Sequence, residues 1–210
     1  IGAQRIAAPK RLLKNISDWW EINSINKQLP ERHSTDKTQE FIKWIKQSPS
    51  PIIVIASGDP LWFGIGRILL ETFPNKKIEF HPSPTSMQIA FARINRPWQD
   101  ATWISLHGRD PFHLAKVLKK RPKALAILTD PNRGGAKEVK RFLQSSGLEN
   151  NYSFWIFERL GAEDERIQKV LPQQEIPNSI DPLHLVLIIS ENKLTINSEE
   201  LPLFGIEDGL

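Results

Sequence analysis

The feature that most constrains the fold is a run of apolar, mainly β-branched residues from Pro51 to Ser57. A continuous run of this kind is typical of a parallel strand that is covered on both faces. Gly58-Asp59-Pro60 ends the run, and apolar residues then recur at helical spacing over residues 61–73. This order predicts the central strand of a mostly parallel α/β sheet, which binds ligands at its carboxyl edge.

Hydrophobic periodicity predicts the remaining elements. The pattern restarts at Arg96-Pro97-Trp98, which predicts a domain boundary near residue 99. The chain is therefore expected to form two α/β domains, residues 1–99 and 100–191, followed by a linker over 192–210. We expect helices over 6–20, 38–47, 86–94, 111–120 and 135–145, a loop over 23–38, and strands over 77–81, 102–106, 124–128, 152–157 and 183–189.

Composition excludes several classes of protein. Hydrophobic residues make up 40% of the 210 residues and charged residues 25%, as in globular domains. No apolar stretch reaches the roughly 18 residues of a membrane span, and the absence of cysteine excludes disulfides, thiolate metal sites and a cysteine nucleophile. No secretory signal is visible and the histidines are dispersed, so we expect a cytoplasmic protein that binds no metal.

The net charge of +4 favours an acidic partner. A non-enzymatic module that binds nucleic acid is one reading of this charge, and an enzyme for a polycarboxylate ligand is another. The basic residues are scattered, apart from a short cluster over residues 116–123 that we interpret as a solvated helix end. Nucleic-acid binders concentrate their charge in a stripe or an arm, so we expect no nucleic acid.

The loop that follows the central strand has two interpretations. In the architectural one, Asp59 caps a helix that begins at Pro60, and Gly58 forms a tight turn. In the functional one, Gly58 lets a ligand approach the backbone, while Asp59 and exposed amides meet its polar groups. The loop lacks both the Gly-Lys-Ser/Thr of a Walker loop and the GxGxxG of a dinucleotide-binding fold, so ATP and NAD are not indicated.

Ser57-Gly-Asp-Pro-Leu-Trp-Phe-Gly-Ile-Gly66 resembles the signature of the corrin C5-methylases, which belong to the tetrapyrrole (corrin and porphyrin) methylase family. The similarity spans about residues 50–190, and the ordered set is more specific than any one motif. The further matches are His81-Pro-Ser-Pro-Thr-Ser-Met-Gln-Ile-Ala-Phe-Ala-Arg93, Pro97-Trp-Gln-Asp100, Ser105-Leu-His-Gly-Arg109, Leu128-Thr-Asp-Pro-Asn132 and Glu158-Arg-Leu-Gly-Ala-Glu-Asp-Glu-Arg-Ile167.

The resemblance implies a two-domain α/β fold, with a mostly parallel sheet in the first domain and a mixed sheet in the second. It implies S-adenosylmethionine as cosubstrate in a cleft between the domains, a tetrapyrrole polycarboxylate as substrate, and a homodimer. The tail over residues 201–208 resembles the connector to a second domain, a fused C15-methylase and decarboxylase, in bifunctional members. Carried over by motif, the cofactor-binding residues are Ser57, Gly58, Asp59, Trp62, Thr85, Ser86 and Thr129.

Three departures from the family pattern stand out. Trp62 replaces the usual phenylalanine, and its indole is expected to stack on adenine or on the macrocycle. His184 occupies a position where the family commonly has asparagine. Family members begin with a strand and a Gly-rich turn before the segment that resembles Ile1–Arg5, so we expect that an N-terminal piece is missing and that its absence lowers activity.

The expected chemistry asks little of acid and base groups, because a sulfonium methyl is already activated and positioning supplies most of the rate. A base that removes a proton from the methylated carbon is sought among Asp59 and His107, although a lone histidine after a strand is more often structural. Arg109 and Arg133 are candidates to bind the carboxylates of the macrocycle, or are solvated loop arginines.

Two alternatives share this fold. One is a methylase of another substrate class, which the motifs over residues 88–92 and 160–166 disfavour. The other is a catalytically silent module that only docks the partner methylase, and binding of S-adenosylmethionine would separate it from an enzyme.

Overall fold

The computed structural model describes residues 4–23, 28–49, 51–108, 110 and 112–191. The predicted linker over 192–210 lies outside the described residues. The chain divides into two compact units between Thr85 and Ser86. In each unit a sheet is covered by helices, as an α/β protein requires.

The first unit contains a parallel sheet of three short strands in the order β2-β1-β3. All pairs are parallel, with Ile6 opposite both Arg32 and Ile53, which confirms the parallel character predicted for this part of the chain. The strands are β1 (Arg5–Ala8), β2 (Glu31–Ser34) and β3 (Ile53–Val54), and the helices are α1 (Lys10–Asn23), α2 (Thr38–Gln47) and α3 (Gly66–Thr72).

Five predicted elements of this unit are wrong in part. The run over residues 51–57, predicted as the central strand, forms only the two-residue β3, which lies at the side of the described sheet with Ile53 exposed, and β1 is the middle strand. The helix expected from residue 6 begins only at Lys10, because Ile6, Ala7 and Ala8 are buried in the middle strand and Pro9 follows them. The loop expected over 23–38 contains β2, a polar edge strand. Residues 77–81 form no strand, since prolines follow at 82 and 84 and no neighbour completes a ladder.

The fifth error concerns the helix predicted over 61–73, which begins at Gly66 instead. The Asp59 carboxylate accepts the N–H of Leu61 at 2.8 Å, and the carbonyl of Pro60 accepts the N–H of Gly66 at 2.8 Å. Phe63 adopts a left-handed conformation with φ of 50°. These turns replace the first two turns of the expected helix.

The second unit contains a mixed five-stranded sheet in the order β4-β5-β8-β6-β7. Only β4 and β5 are parallel, and every other pair is antiparallel, so the mixed sheet implied by the resemblance is confirmed. β7 was not predicted. The strands are β4 (Ala101–Ser105), β5 (Ala124–Leu128), β6 (Tyr152–Glu158), β7 (Arg166–Val170) and β8 (His184–Ser190), and the helices are α4 (Ser86–Arg93), α5 (Phe112–Leu118) and α6 (Gly135–Ser145).

Alternation along β5 divides the core of this unit into two layers. Leu125 and Ile127 face a cluster that contains the buried side chains of α5 and α6, whereas Ala124 and Ala126 face a cluster that contains those of α4. Met87, Ala90 and Phe91 of α4 are buried in that second cluster. The boundary between the two compact units therefore falls before α4 and not near residue 99, where it was predicted.

Candidate functional site

The turn at Gly58 is the core of the candidate site in the first unit. β3 leads into it, and the N–H of Ile55 still bonds to the carbonyl of Ala7, so the turn starts at the carboxyl end of the parallel sheet. Gly58 has φ of +78°, a left-handed conformation that glycine adopts at little cost. The side chain of Ser57 is exposed beside it.

The segment that carries Thr85 lies against this turn. A Cβ built on Gly58 would meet the carbonyl oxygen of Pro84 at 3.5 Å and the Cα of Thr85 at 3.7 Å. The structure thus brings together four of the residues predicted to bind the cofactor, Ser57, Gly58, Asp59 and Thr85. Ser86 begins α4 in the second unit.

The loop then exposes three consecutive large apolar side chains. Leu61, Trp62 and Phe63 are 54%, 38% and 45% exposed, and the rings of Trp62 and Phe63 meet edge to face at 5.2 Å. Exposed apolar groups of this size next to each other mark a surface that binds a ligand or partner. The indole of Trp62 therefore lies in the accessible loop where the sequence predicted it.

A second set of predicted residues gathers at one edge of the five-stranded sheet. β4, β5 and β6 run in the same direction, and β8 runs against them, so the ends of the first three strands and the start of β8 share this edge. The loops that emerge there carry His107, Thr129, Asp130, Arg133 and the segment 159–165.

Asp130 connects two of these loops. Its carboxylate accepts the N–H of Gly108 at 3.0 Å and the N–H of Asn132 at 3.0 Å. The N–H of Gly108, assisted by that of Asn132 and by nearby His107 and Arg133, holds the pKa of the Asp130 carboxyl below its ordinary value. The buried carboxylate stays ionised and fixes the geometry of both loops.

Thr129, predicted to bind the cofactor, is buried next to Asp130. Its hydroxyl donates to the carbonyl oxygen of His184 at 2.9 Å. Because this bond uses the hydroxyl proton, Thr129 can offer a ligand only an acceptor.

His184, noted in the sequence only as a departure from the family pattern, joins three segments. Its Nδ1 lies 2.7 Å from the carbonyl oxygen of Asp181, and its Nε2 lies 3.2 Å from the backbone nitrogen of Ala136. Since a carbonyl can only accept and an N–H can only donate, this arrangement requires the neutral tautomer protonated at Nδ1. A Cβ on Gly135 would lie 2.9 Å from the imidazole, so the ring and the glycine fit each other.

An ion pair connects two of the motifs recognised in the sequence. Arg93, at the end of α4, donates to both oxygens of Glu165, at 2.6 and 3.1 Å. Glu165 also accepts the N–H of Gly161 at 2.8 Å. Arg93, and to a smaller extent the Gly161 N–H, lowers the pKa of Glu165. The two motifs are thus joined by an ion pair within this unit.

The carboxylate of Glu158 is also buried at this edge of the five-stranded sheet. It accepts from Arg166 at 2.6 Å and from the N–H of Asp181 at 2.7 Å. Arg133 keeps its side chain 54% exposed, with Nε 3.9 Å from Asp130. His107 is exposed, and Arg109 lies outside the described residues.

The profile of the tetrapyrrole (corrin/porphyrin) methylases matches residues 2–174. The chain belongs to this family. A cobalt-precorrin-7 C(5)-methyltransferase of Salmonella typhimurium is 30% identical over 152 residues, which cover 72% of each chain. A precorrin-6Y C(5,15)-methyltransferase [decarboxylating] of Sinorhizobium is 29% identical over 150 residues, 71% of this chain but only 36% of the relative's length.

Solved structures share the fold of the family. A uroporphyrin-III C-methyltransferase from Thermus thermophilus, complexed with S-adenosylhomocysteine, covers 90% of this chain and 86% of its own with a TM-score of 0.65 at 16% identity. A precorrin-6Y methylase from Archaeoglobus fulgidus covers 90% of this chain and 86% of its own with a TM-score of 0.57 at 21% identity. These likenesses confirm the tetrapyrrole methylase fold expected from the motifs.

Two other kinds of feature are absent from the part of the chain that the structure describes. Among the described residues, no three His, Asp or Glu side chains are grouped as metal ligands would be. In the same part of the chain, no helix has the length and apolar character needed to cross a bilayer.

Proposed function

We propose that this chain is a methyltransferase module that moves a methyl group from S-adenosylmethionine to C5 of a precorrin in cobalamin biosynthesis. Family membership supports methyl transfer to a tetrapyrrole, and the matched relatives named as C5-methyltransferases support the position. The observation that carries the proposal is the glycine turn at the end of β3, where Gly58 is left-handed and an aromatic loop follows it.

The residues around this turn fit S-adenosylmethionine. Gly58 has no side chain that could keep a ligand away from its backbone. A Cβ at this position would have only ordinary contacts, at 3.5 Å and beyond. The Ser57 hydroxyl supplies a polar group, and the exposed Trp62 indole supplies an aromatic face for adenine or the macrocycle. When bound, the cosubstrate supplies an activated methyl group on a sulfonium.

The protein's own part in the reaction is to orient the reactants, to exclude water and to accept one proton. Asp59 Oδ1 already accepts the N–H of Leu61, so Asp59 serves the turn first. His107 is exposed beside the fixed carboxylate of Asp130, which makes it the better candidate for the base. Arg133, exposed at the same edge, is proposed to bind a substrate carboxylate, and Arg109 stays a prediction for the same role.

The proposal includes the setting of the module. We infer that in the parent protein it is fused to a C15-methylase and decarboxylase domain, because the Sinorhizobium relative carries the C(5,15) name and is much longer than the match. A cytoplasmic location, a homodimer and independence from metals remain predictions. Light scattering of the purified chain tests the dimer, and elemental analysis tests the metal.

The test compares two glycines. Gly58→Val is expected to abolish binding of S-adenosylhomocysteine, measured by calorimetry, and transfer of labelled methyl to a precorrin that lacks the C5 methyl. Gly147→Val controls for the strain of a left-handed backbone, because Gly147 has φ of 63° and no described atom within 4 Å of its Cβ position, whereas Gly58 also faces the Pro84 carbonyl. Equal binding by the two variants would contradict the proposed site, and absence of methyl transfer by the unaltered chain with intact binding would favour the silent module.

A further inference from the structure

Arg11 is a cation beside the candidate site that the sequence patterns did not single out. It lies in the first turn of α1, immediately after β1 and Pro9, and its side chain is exposed. Its Nη2 donates to the hydroxyl of Ser57 at 2.5 Å. The middle strand and the glycine turn are thus joined by a guanidinium at the carboxyl edge of the parallel sheet.

The charge of Arg11 is not compensated by an acid within the described part of the chain. Other arginines of the first unit, Arg5 and Arg67, bind Glu31 and Glu71 at 3.0 and 2.8 Å. In the same part of the chain, the partner of Arg11 is the neutral hydroxyl of Ser57. A guanidinium has five N–H donors in a planar fork that matches a carboxylate, and one bond to a hydroxyl leaves most of them available.

Ser57 is correspondingly polarised. Its oxygen accepts from Arg11, so its own proton is available to donate to a second acceptor. An anion placed between the two side chains would receive one bond from the hydroxyl and one or two from the guanidinium. Ligands of parallel α/β sheets bind at the edge where this pair lies.

We propose that Arg11 and Ser57 form a carboxylate-binding subsite of the methyltransferase. The inference rests on the proposed function, which provides two sources of a carboxylate: the amino-acid part of S-adenosylmethionine, and the acid side chains of the tetrapyrrole. In either case Arg11 sets the position of the ligand by bidentate pairing, which a lysine reproduces poorly.

A second arginine, Arg32, provides the control for a purely structural role of the bond between Arg11 and Ser57. Arg32 also donates to a serine hydroxyl, that of Ser17, and is also exposed without an acidic partner in the described residues. Ser17 lies six residues further along α1 than Arg11, which places it about 9 Å from Arg11 along the helix axis. Arg32→Gln therefore removes the same chemistry away from the site.

The experiment measures the affinity of the full chain and its variants for two pairs of probes by calorimetry. S-adenosylhomocysteine is compared with methylthioadenosine, which lacks the amino-acid carboxylate, and uroporphyrin III is compared with its octamethyl ester. Arg11→Gln is expected to weaken one of the two carboxylate-bearing probes about tenfold, the size expected of one charge-assisted pair. The matched probe without the carboxylate and the Arg32→Gln variant should show no change.

The possible outcomes identify the source of the carboxylate, and they distinguish failure of the subsite from failure of the proposed function. A loss confined to S-adenosylhomocysteine identifies the cosubstrate carboxylate, and a loss confined to uroporphyrin identifies the substrate. Unchanged affinity for both probes, or an equal loss for a probe and its carboxylate-free partner, overturns the subsite while the proposed function stands. If the unaltered chain binds neither probe, the proposed function fails and the subsite fails with it.

Discussion

The carboxyl edges of the two sheets differ in how their polar groups are used. At the edge of the first unit, Leu61, Trp62 and Phe63 are exposed, Ser57 is exposed beside the left-handed Gly58, and the Arg11 charge has no acidic partner among the described residues. At the edge of the second unit, the buried carboxylates of Asp130 and Glu158 each accept two hydrogen bonds from neighbouring groups. The first edge is open to a ligand, whereas at the second edge the buried carboxylates are already satisfied internally and only exposed groups such as His107 and Arg133 can meet a ligand.

The difference predicts which substitutions affect ligand binding and which affect the stability of the fold. Substitutions of the buried carboxylates at the second edge should lower the free energy of unfolding, because they leave buried donors without an acceptor. Substitutions at the first edge should act mainly on binding, except where a glycine is required by contact with the backbone.

The largest loss of stability is expected for Asp130→Ala. The change leaves the N–H groups of Gly108 and Asn132 without their acceptor in a buried position, which should cost about 3 kcal/mol in free energy of unfolding. Urea denaturation measures the loss, and Asp18→Ala on the exposed face of α1 is the control. A loss as small as that of the control would show that water replaces the carboxylate and that the second edge is as open as the first.

Sequence patterns predicted some elements to the residue and missed others. β5, α2 and α6 were predicted to the residue because apolar periodicity defines them. β1 was missed since four residues of a strand run into the helical pattern of α1, and β2 because a polar edge strand shows no apolar alternation.

The candidate site shows the same division. The motif residues at Ser57, Gly58 and Trp62 lie in an accessible loop, as predicted. Arg11 and His184 escaped notice as site residues because their partners are a distant hydroxyl and two backbone groups, and such partners leave no pattern in a sequence.

The next largest effect separates two glycines of the first edge. A Cβ at Gly64 would lie 2.6 Å from the carbonyl oxygen of Pro60, whereas a Cβ at Gly58 has ordinary contacts and only an unfavourable φ. Gly64→Ala should therefore cost about 2 kcal/mol and Gly58→Ala about 1 kcal/mol in thermal or urea denaturation. The reverse order would mean that the Gly58 turn, and not the Pro60 contact, determines the stability of the loop.

A smaller effect is expected at His184, where two substitutions each keep one of the two hydrogen bonds. Asn places its amide near the position of Nδ1 and should retain the bond to Asp181, and Gln reaches the position of Nε2 and should retain the bond from Ala136. Each variant should lose about 1 kcal/mol, the value of one net hydrogen bond.

Nitrogen chemical shifts of the imidazole in the unaltered protein provide an independent check. They should report the neutral tautomer protonated at Nδ1. The opposite tautomer would contradict the assigned contacts and would leave the start of α6 without its acceptor.

The smallest expected effect is a pH dependence that comes from Glu165, because exposed ion pairs contribute little to stability. Arg93 and the Gly161 N–H lower the pKa of Glu165 in the folded chain. A carboxyl whose folded pKa is depressed contributes stability that is fully present above its unfolded pKa, about 4.3, and that is lost as the pH falls through the folded pKa.

The free energy of unfolding of the unaltered chain should therefore exceed that of Glu165→Gln by a constant amount near neutral pH, and the two should converge in acid. Arg67 and Glu71 form a more exposed ion pair in the first unit, so Glu71→Gln serves as the control for general charge effects. Addition of salt should reduce the Glu165 difference. If the difference persists unchanged below the folded pKa, the contribution of Glu165 comes from packing or from the neutral bond to Gly161, and the ion pair between the two motifs contributes nothing to the second edge.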